Sequence, residues 1–232
     1  MINWNGNGCY WEAEKLLSKA FWFFSVDNDS AVLQISTSKF ENWRFRQRSV
    51  IHIYKGEVIL TDVDFENTEA SSESMAWGED FLVPEWLTTV YHDKYYAVAG
   101  IISATKKEFY TNENNIVWDA SERVPAPSGK FTWKGGSVTG HNIDMNPMKI
   151  DDYERFVPFL SLNRLELVDI SGITFTHNFM METAWNTWSL LSVVFCSKAV
   201  ITDLHFEKNW LDSGAIGIFL MKEYVDHYDY IQ

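Results

Sequence analysis

The sequence contains little of what marks a disulfide-rich, metal-binding or nucleic-acid-binding chain. Cys9 and Cys196 are the only cysteines in 232 residues, which is too few for a disulfide framework. They lie too far apart in sequence for a metal knuckle. No N-terminal segment has the pattern of a signal peptide or a membrane span. We therefore expect no cofactor, no metal site and no membrane insertion within this segment.

Positive charge is also scarce. Lysine and arginine number 19 against 32 aspartates and glutamates, and the net charge is −13. Binding to phosphate backbones depends on clustered Lys and Arg that release counterions. This balance argues against a nucleic-acid partner.

Aromatic and aliphatic residues are plentiful. The chain is 46% hydrophobic and 16% aromatic, with 11 tryptophans. This composition is typical of a globular chain and not of a disordered one. Its length suffices for one sizeable core or at most two small ones.

One residue pattern recurs in four segments. Relative to a central phenylalanine, it places an aliphatic residue at −5, Ser or Thr at −4, an aliphatic residue at −2 and Asn at +2 or +3. The segments are LQISTSKFEN at 33–42, VILTDVDFEN at 58–67, ISGITFTHN at 170–178 and ITDLHFEKN at 201–209, with Ser38 in the −2 position of the first. The central residues and their asparagines are Phe40 with Asn42, Phe65 with Asn67, Phe175 with Asn178, and Phe206 with Asn209.

Two weaker copies are hypothesised between the second and third segments. ISATKKEFYTN ends at Asn112 and has Phe109 in the central position. VTGHNIDMN ends at Asn146 and has Met145 there. Such repeats decide the fold, because each one is a structural unit that stacks on its neighbours.

The spacing within each copy predicts a β-strand with one buried face, since apolar residues stand at alternate positions. A second apolar strand precedes most copies, at 50–53, 131–133, 156–160 and 190–195. No helix-length segment is available for a βαβ crossover. We expect an all-β parallel solenoid with variable loops, in which the central residues form inward columns and the asparagines form a hydrogen-bonded column at a corner.

The repeats resemble the right-handed parallel β-helix, or pectin-lyase-like, superfamily. VDISGITFTHN at 168–178, AVITDLHFEKN at 199–209 and NWLDSGAIGIF at 209–219 carry this resemblance, which covers roughly residues 30–220. It implies a fold and no single activity. The superfamily includes polysaccharide lyases, glycoside hydrolases, phage tailspikes, adhesins and structural segments.

The two ends of the chain differ from the repeats. Residues 10–21 place Leu17, Ala20 and Phe21, with Phe24 beyond them, on one helical face. This predicts a short capping helix within an N-terminal cap of residues 1–29, ahead of a parallel β-helix over 30–232; a buried strand is the alternative. The next central position would fall beyond Gln232. We therefore expect the β-helix to be incomplete at the C-terminus and to be continued by further chain or by a partner.

Position −1 of each copy should face outward in a solenoid. The column would contain Lys39, Asp64, Glu108, Asp144, Thr174 and His205. Three carboxylates on successive coils could hold a cation or act as an acid–base pair. This reading depends on both weak copies, and a solvated acidic face is the favoured alternative. The clustered aspartate signatures of polygalacturonases are not in place.

Other polar residues give weaker signals. Asp151 and Asp152 lie in a polar stretch that predicts a loop, and Asp212 fits a turn. His177 and His205 fall in different columns, which disfavours a shared metal. Cys196 reads as a small core residue.

The tryptophans could be either exposed platforms or cover for the coil ends. Trp43 and Trp210 follow the corner asparagines, whereas Trp77, Trp86, Trp185 and Trp188 fall in connecting loops. Exposed aromatic rings stack on sugars or anchor protein interfaces. The alternative, which we favour, is that they fold back over loops.

The leading hypothesis is a non-catalytic β-solenoid segment of a larger extracellular or cell-surface protein or filament. Its work would be rigid extension and contacts with other subunits or with further coils. One alternative is a polysaccharide-degrading enzyme that uses Asp64, Glu108 and Asp144. The other is a carbohydrate-binding adhesin, with glycans as partners.

Overall fold

The computed structural model describes residues 1–5, 10–12, 23–46, 49–73, 100–104, 127–143, 154–156, 158–180, 189–211 and 215–220. Every regular element in these ranges is a β-strand. The strands are β1 Ile2–Asn5, β2 Tyr10–Glu12, β3 Phe24–Glu41, β4 Arg44–Arg46, β5 Ile51–Glu66, β6 Glu69–Glu73, β7 Ile102–Ala104, β8 Lys130–Thr139, β9 Glu154–Phe156, β10 Leu160–Asn163, β11 Leu167–Thr176, β12 Phe179–Met180, β13 Leu191–Cys196, β14 Ala199–Thr202, β15 His205–Glu207, β16 Trp210–Leu211 and β17 Ile216–Leu220.

Successive passes of the chain stack side by side, in parallel, to form one large curled sheet. On what we call the first face the order is β1, β3, β5, β8, β11, and then β14 together with β15. We call each of these six levels a rung. The hydrogen-bond ladder links each rung to the next in the chain order of these strands, which requires each connection to return to the same end of the sheet.

Two further faces flank the first. The second face consists of the starts of β3 and β5, followed by β7, β10, β13 and β17. Because β3 and β5 each run through both faces, the sheet curls where the second face meets the first. The third face holds β2, β4, β6 and β9, and separately β12 with β16; β6 and β9 are the one antiparallel pair among the described strands.

The core lies between the faces and consists of stacked apolar columns. The central column contains Trp4, Phe40, Phe65, Val138, Phe175 and Phe206. The rings of Phe40 and Phe65 stack with centroids 5.0 Å apart. Phe159, which precedes β10 on the second face, meets Phe65 edge-on at 5.1 Å. Burial of such rings is a large favourable contribution, because each removes much apolar surface from water.

Each rung from β3 onwards bends at two positions with a left-handed backbone. At −3 these residues are Thr37, Asp62, Gly135, Gly172 and Asp203, and at +2 they are Asn42, Asn67, Gly140, His177 and Lys208. The ladder of paired residues skips the −3 position in the rungs from β3 to β11. Glycine, asparagine and aspartate adopt positive φ more readily than other residues, which is why they recur at these bends.

The all-β class and the parallel pairing predicted from the sequence are confirmed, but the predicted N-terminal helix is not seen. Tyr10–Glu12, where that helix was expected to begin, is the strand β2, and Phe24 starts β3. Residues 13–22 lie outside the described residues. Both β1 and β2, within the predicted cap of residues 1–29, pair with strands of the stack.

The two weak repeat copies are wrong. Strand β5 pairs directly with β8, so no rung lies between Phe65 and Val138. Val138 occupies the position assigned to Met145, and both Phe109 and Met145 lie outside the described residues. Residues at matching positions of successive rungs are 25, 73, 37 and 31 apart in sequence. The separation of 73 residues between β5 and β8 is why the repeat spacing did not reveal the β8 rung.

Candidate functional site

The predicted column of three carboxylates at position −1 is not formed. In the sheet, Asp64 lies between Lys39 and Ser137. The Ser137 hydroxyl donates a hydrogen bond of 2.8 Å to Asp64 Oδ1. Glu108 and Asp144 lie outside the described residues and take neither neighbouring position. The observed column continues through Thr174 and His205, so it holds one carboxylate and not three.

Charges on the outside of the first face are matched locally. Lys39 Nζ lies 2.6 Å from a Glu66 carboxylate oxygen and 2.9 Å from one of Glu41. Hydrogen bonding to Glu66, and then to Glu41, raises the pKa of Lys39. Elsewhere on this face, Lys134 pairs with Asp169 at 3.1 Å. Within the described ranges, no group of three or more His, Cys, Asp or Glu side chains could hold a metal ion.

The corner asparagines form hydrogen-bonded pairs between rungs. Asn67 Nδ2 donates to Asn42 Oδ1 at 2.7 Å, and Asn178 Nδ2 donates to Asn209 Oδ1 at 2.9 Å. Between these pairs, the backbone NH of His141 donates to Asn178 Oδ1. Asn42 and Asn67 are themselves the left-handed residues at +2, whereas Asn178 and Asn209 follow that residue at +3. The amide ladder is thus interrupted at the β8 rung, where Gly140 and His141 replace the asparagine.

A buried polar column on the second face escaped the sequence analysis. His52, Ser103, Ser161 and Ser192 stand side by side on β5, β7, β10 and β13, each between two apolar residues. Ser49 Oγ donates to Ser103 Oγ at 2.6 Å, and Ser103 Oγ lies 2.9 Å from His52 Nδ1. The sequence feature that could have revealed this column is a triplet of an apolar residue, Ser or His, and a second apolar residue, which recurs in these four strands.

Burial determines whether this polar column could act in catalysis. Burial lowers the pKa of His52 to about 3, so the imidazole is neutral at physiological pH. A hydroxyl beside a neutral imidazole is the pairing that activates a nucleophile. His52 and Ser103 are 5% and 0% exposed, however, so no substrate reaches them. The column therefore satisfies polar groups inside the structure.

The two described corner tryptophans differ. Trp43 is buried, and its Nε1 donates to the Trp4 carbonyl oxygen at 2.6 Å. Trp210 is 66% exposed and lies 6.4 Å from Phe179, centroid to centroid. Folding back into the core thus describes Trp43 and not Trp210. Trp77, Trp86, Trp185 and Trp188 lie outside the described residues.

The remaining candidates do not converge on a site. His177 and His205 occupy different columns, at +2 and −1, and His205 Nε2 lies 3.8 Å from Glu207. Cys196 is buried with its sulfur 3.9 Å from the Leu162 carbonyl oxygen. Asp151, Asp152 and Asp212 lie outside the described residues.

The strongest functional feature is the pair of open ends of the stack. No described strand covers the far side of β14, β15, β16 or β17 at one end, or of β1 and β2 at the other. Ile201, Leu204 and Phe206 are only half-buried, although Ile170, Ile173 and Phe175 at the same positions one rung earlier are fully buried. At the opposite end Ile2 is 59% exposed. Apolar side chains and unpaired strand edges together are typical of association sites.

No protein-family model, curated protein or solved structure matches the chain. The described part of the chain has no helix long and apolar enough to cross a membrane.

Proposed function

We propose that the chain is a right-handed parallel β-helix of the pectin-lyase-like type, and that it serves as a non-catalytic structural segment of a larger extracellular or cell-surface assembly. The observation that carries this proposal is the in-register stacking of six rungs around one apolar interior, with strand edges at both ends that no described strand covers. Its partners are other subunits or further coils.

The interior supports a mechanical role. Each rung adds about 4.8 Å along the stack and is fixed to its neighbours by a continuous ladder and by packed rings. Such a body cannot bend without breaking hydrogen bonds and separating buried aromatic side chains. Rigid extension is the property that this construction supplies.

The exterior supports the same conclusion. Some charged groups on the first face pair across rungs, as Lys39 does with Glu66, and some of its hydroxyls bond to each other, as Thr139 does with Thr176 at 3.0 Å. Catalysis instead needs groups that converge on one reacting point. Asp64 has Lys39 and Ser137 beside it and not further carboxylates, an arrangement that does not favour the polysaccharide-degrading alternative.

The test is to image the chain in the assembly isolated from its native source. Particle images should place it end-on against further coils or against another subunit. Recovery of the chain from that source as a stable, isolated monomer would refute the structural role.

A glycan-binding role is the second candidate, and exposed Trp210 beside Phe179 favours it. Two outward aromatic rings on adjacent rungs can stack on sugar rings. Binding on a glycan array should be lost in Trp210→Ala and retained in Trp210→Tyr. An array without any binding by the wild-type chain removes this candidate.

A further inference from the structure

We infer that a second copy of this chain stacks head to tail on the first, so that the open end of one copy joins the opposite end of the other. This inference rests on the proposed structural role and identifies the partner as the chain itself. Among the described strands, the two ends of the stack present different faces, and these faces are complementary. Strand β17 supplies a second-face strand above β13, whereas β1 and β2 supply first-face and third-face strands below β3 and β4. Together they provide strands for all three faces of one shared level.

The register at the two ends is compatible. In its own rung Ile2 shares the position of Ser38, at −2, and Trp4 shares that of Phe40, at 0. The last rung presents Leu204 and Phe206 at those positions. When β1 pairs with β15, Ile2 therefore meets Leu204 and Trp4 meets Phe206. Both contacts continue existing apolar columns.

The aromatic rings at the ends are already aligned for this stacking. The ring of Trp4 is nearly parallel to that of Phe40, with an interplanar angle of 9° and centroids 6.0 Å apart. The ring of Phe206 is nearly parallel to that of Phe175, at 11° and 4.8 Å. Placing Trp4 over Phe206 thus extends a column of parallel rings without a change of ring orientation.

The other two faces follow from the same placement. On the third face β2 comes against β16, at the level of exposed Trp210 and half-buried Leu211. On the second face the start of β3 comes against β17, so that Phe24 stands over Ile216. On the second face, half-buried Phe24 thus meets half-buried Ile216.

Charge permits the contact. The outward positions of β15 carry His205 and Glu207, and β1 places Asn3 and Asn5 at the matching positions. Asparagine is uncharged, so no like charges are brought together between β1 and β15 on the first face. Because the two surfaces differ, the contact is heterologous, and it builds open head-to-tail chains and not a closed two-fold dimer.

The first experiment uses two populations of the full chain, both carrying Cys9→Ser. One also carries Asn3→Cys and the other His205→Cys. At the proposed register the two Cα atoms are about 4.8 Å apart, within the range of a disulfide. Mild oxidation should give a cross-linked dimer only when the populations are mixed.

The matched control replaces His205→Cys with Thr174→Cys. This residue lies in the same column one rung deeper, about twice as far from Asn3 of the second copy, so it should give no dimer. A dimer from Asn3→Cys alone, or equal dimer from both mixtures, would overturn the proposed register.

The second experiment measures association of the unmodified chain by sedimentation over a range of concentrations. The wild type should form species that grow with concentration. Trp210→Glu, at a side chain that is already exposed, should weaken association about tenfold or more, and Trp210→Phe much less. A chain that stays monomeric throughout refutes self-stacking. A different protein found on these same edges in native assemblies would leave the structural role intact and refute only this inference.

Discussion

At the scale of single residues, each rung from β3 onwards is shaped by its two left-handed positions. The −3 position carries Thr37 in the second rung, with a φ of 46°, where glycine or aspartate stands in the third to sixth rungs. A β-branched residue in this region is strained. The stack holds it there because the flanking residues on both sides are paired with β5.

Gly136 is the residue whose replacement should be least tolerated. It has a φ of 111°, and a Cβ atom there would overlap the carbonyl oxygen of Val63 in the neighbouring rung. We expect Gly136→Ala to lower the free energy of unfolding by about 3 kcal/mol or more, since both backbone strain and a backbone clash are added. Urea denaturation measures this.

Gly172→Ala is the matched control. Its φ is 69°, but the nearest atom to an added Cβ is the Gly135 nitrogen at 3.7 Å, which is ordinary contact. The cost should be about 1 kcal/mol, from the left-handed backbone alone. Equal losses in the two variants would show that the clash with Val63 does not matter.

His52 makes the stability depend on pH. Because burial lowers its pKa in the folded chain to about 3, the unfolded chain binds a proton below pH of about 6.5 while the folded chain does not. Stability from this group is complete above the unfolded pKa. It falls by about 1.4 kcal/mol per pH unit as the pH drops from about 6.5 towards 3.

The measurement is the difference in pH dependence between the wild type and His52→Asn, which keeps a hydrogen-bonding group near the position of Nδ1. Carboxyl groups titrate in the same window, so only the difference reports on His52. The variant should lose less stability on acidification. His177→Asn, at an exposed corner, is the control; a pH dependence of His52→Asn identical to that of the wild type would contradict the assignment.

At the scale of elements, alternation predicted the strands, and the order of residues predicted which of them share a column. Phe175 and Phe206 stack at 4.8 Å, as their matching positions required. The β8 rung could not be found in this way, because Val138 replaces the phenylalanine and Gly136 replaces the aliphatic residue at −2. A repeat pattern defined by side chains cannot detect a rung in which two backbones approach so closely that only glycine fits, as at Gly136.

The corner ladder depends most on Asn178. Its Nδ2 donates to the Val138 carbonyl and to Asn209 Oδ1, and its Oδ1 accepts from the His141 NH. Asn178→Ala removes these three side-chain hydrogen bonds, while Asn209 Oδ1 keeps the bond from the Asn178 backbone NH. The loss should cost about 2–4 kcal/mol. Thermal and urea unfolding would measure the loss.

Asn178→Asp separates the two halves of this network. The carboxylate still accepts from His141 but cannot donate, and it faces the oxygens of Val138 and Asn209. We expect destabilisation that is relieved in part at low pH, when the carboxyl group is protonated. Stability of Asn178→Asp equal to the wild type at neutral pH would show that the donated bonds contribute nothing.

At the scale of the whole molecule, stability should vary along the stack, because each rung is held by its neighbours. Phe175 is fully buried between two rungs, and Phe206 is half-buried at the end. Phe175→Ala should lower the free energy of unfolding by about 3–5 kcal/mol. Phe206→Ala should cost clearly less and open mainly the last rung.

Amide hydrogen exchange distinguishes local from global opening. In Phe206→Ala, protection should fall in β14 and β15 while β5 and β8 keep theirs. In Phe175→Ala, protection should fall throughout. A uniform loss in both variants would mean that the stack unfolds as one cooperative unit.

The sequence separation of 73 between neighbouring rungs β5 and β8 has an evolutionary consequence. Register is set by contacts between adjacent rungs. Strands β6 and β7 lie within this separation and still pair with β4 and β5, so residues can be added between paired strands while the alignment is kept. New segments can therefore be acquired at that point without redesign of the interior. The same junction offers protein engineers a place to graft foreign sequence.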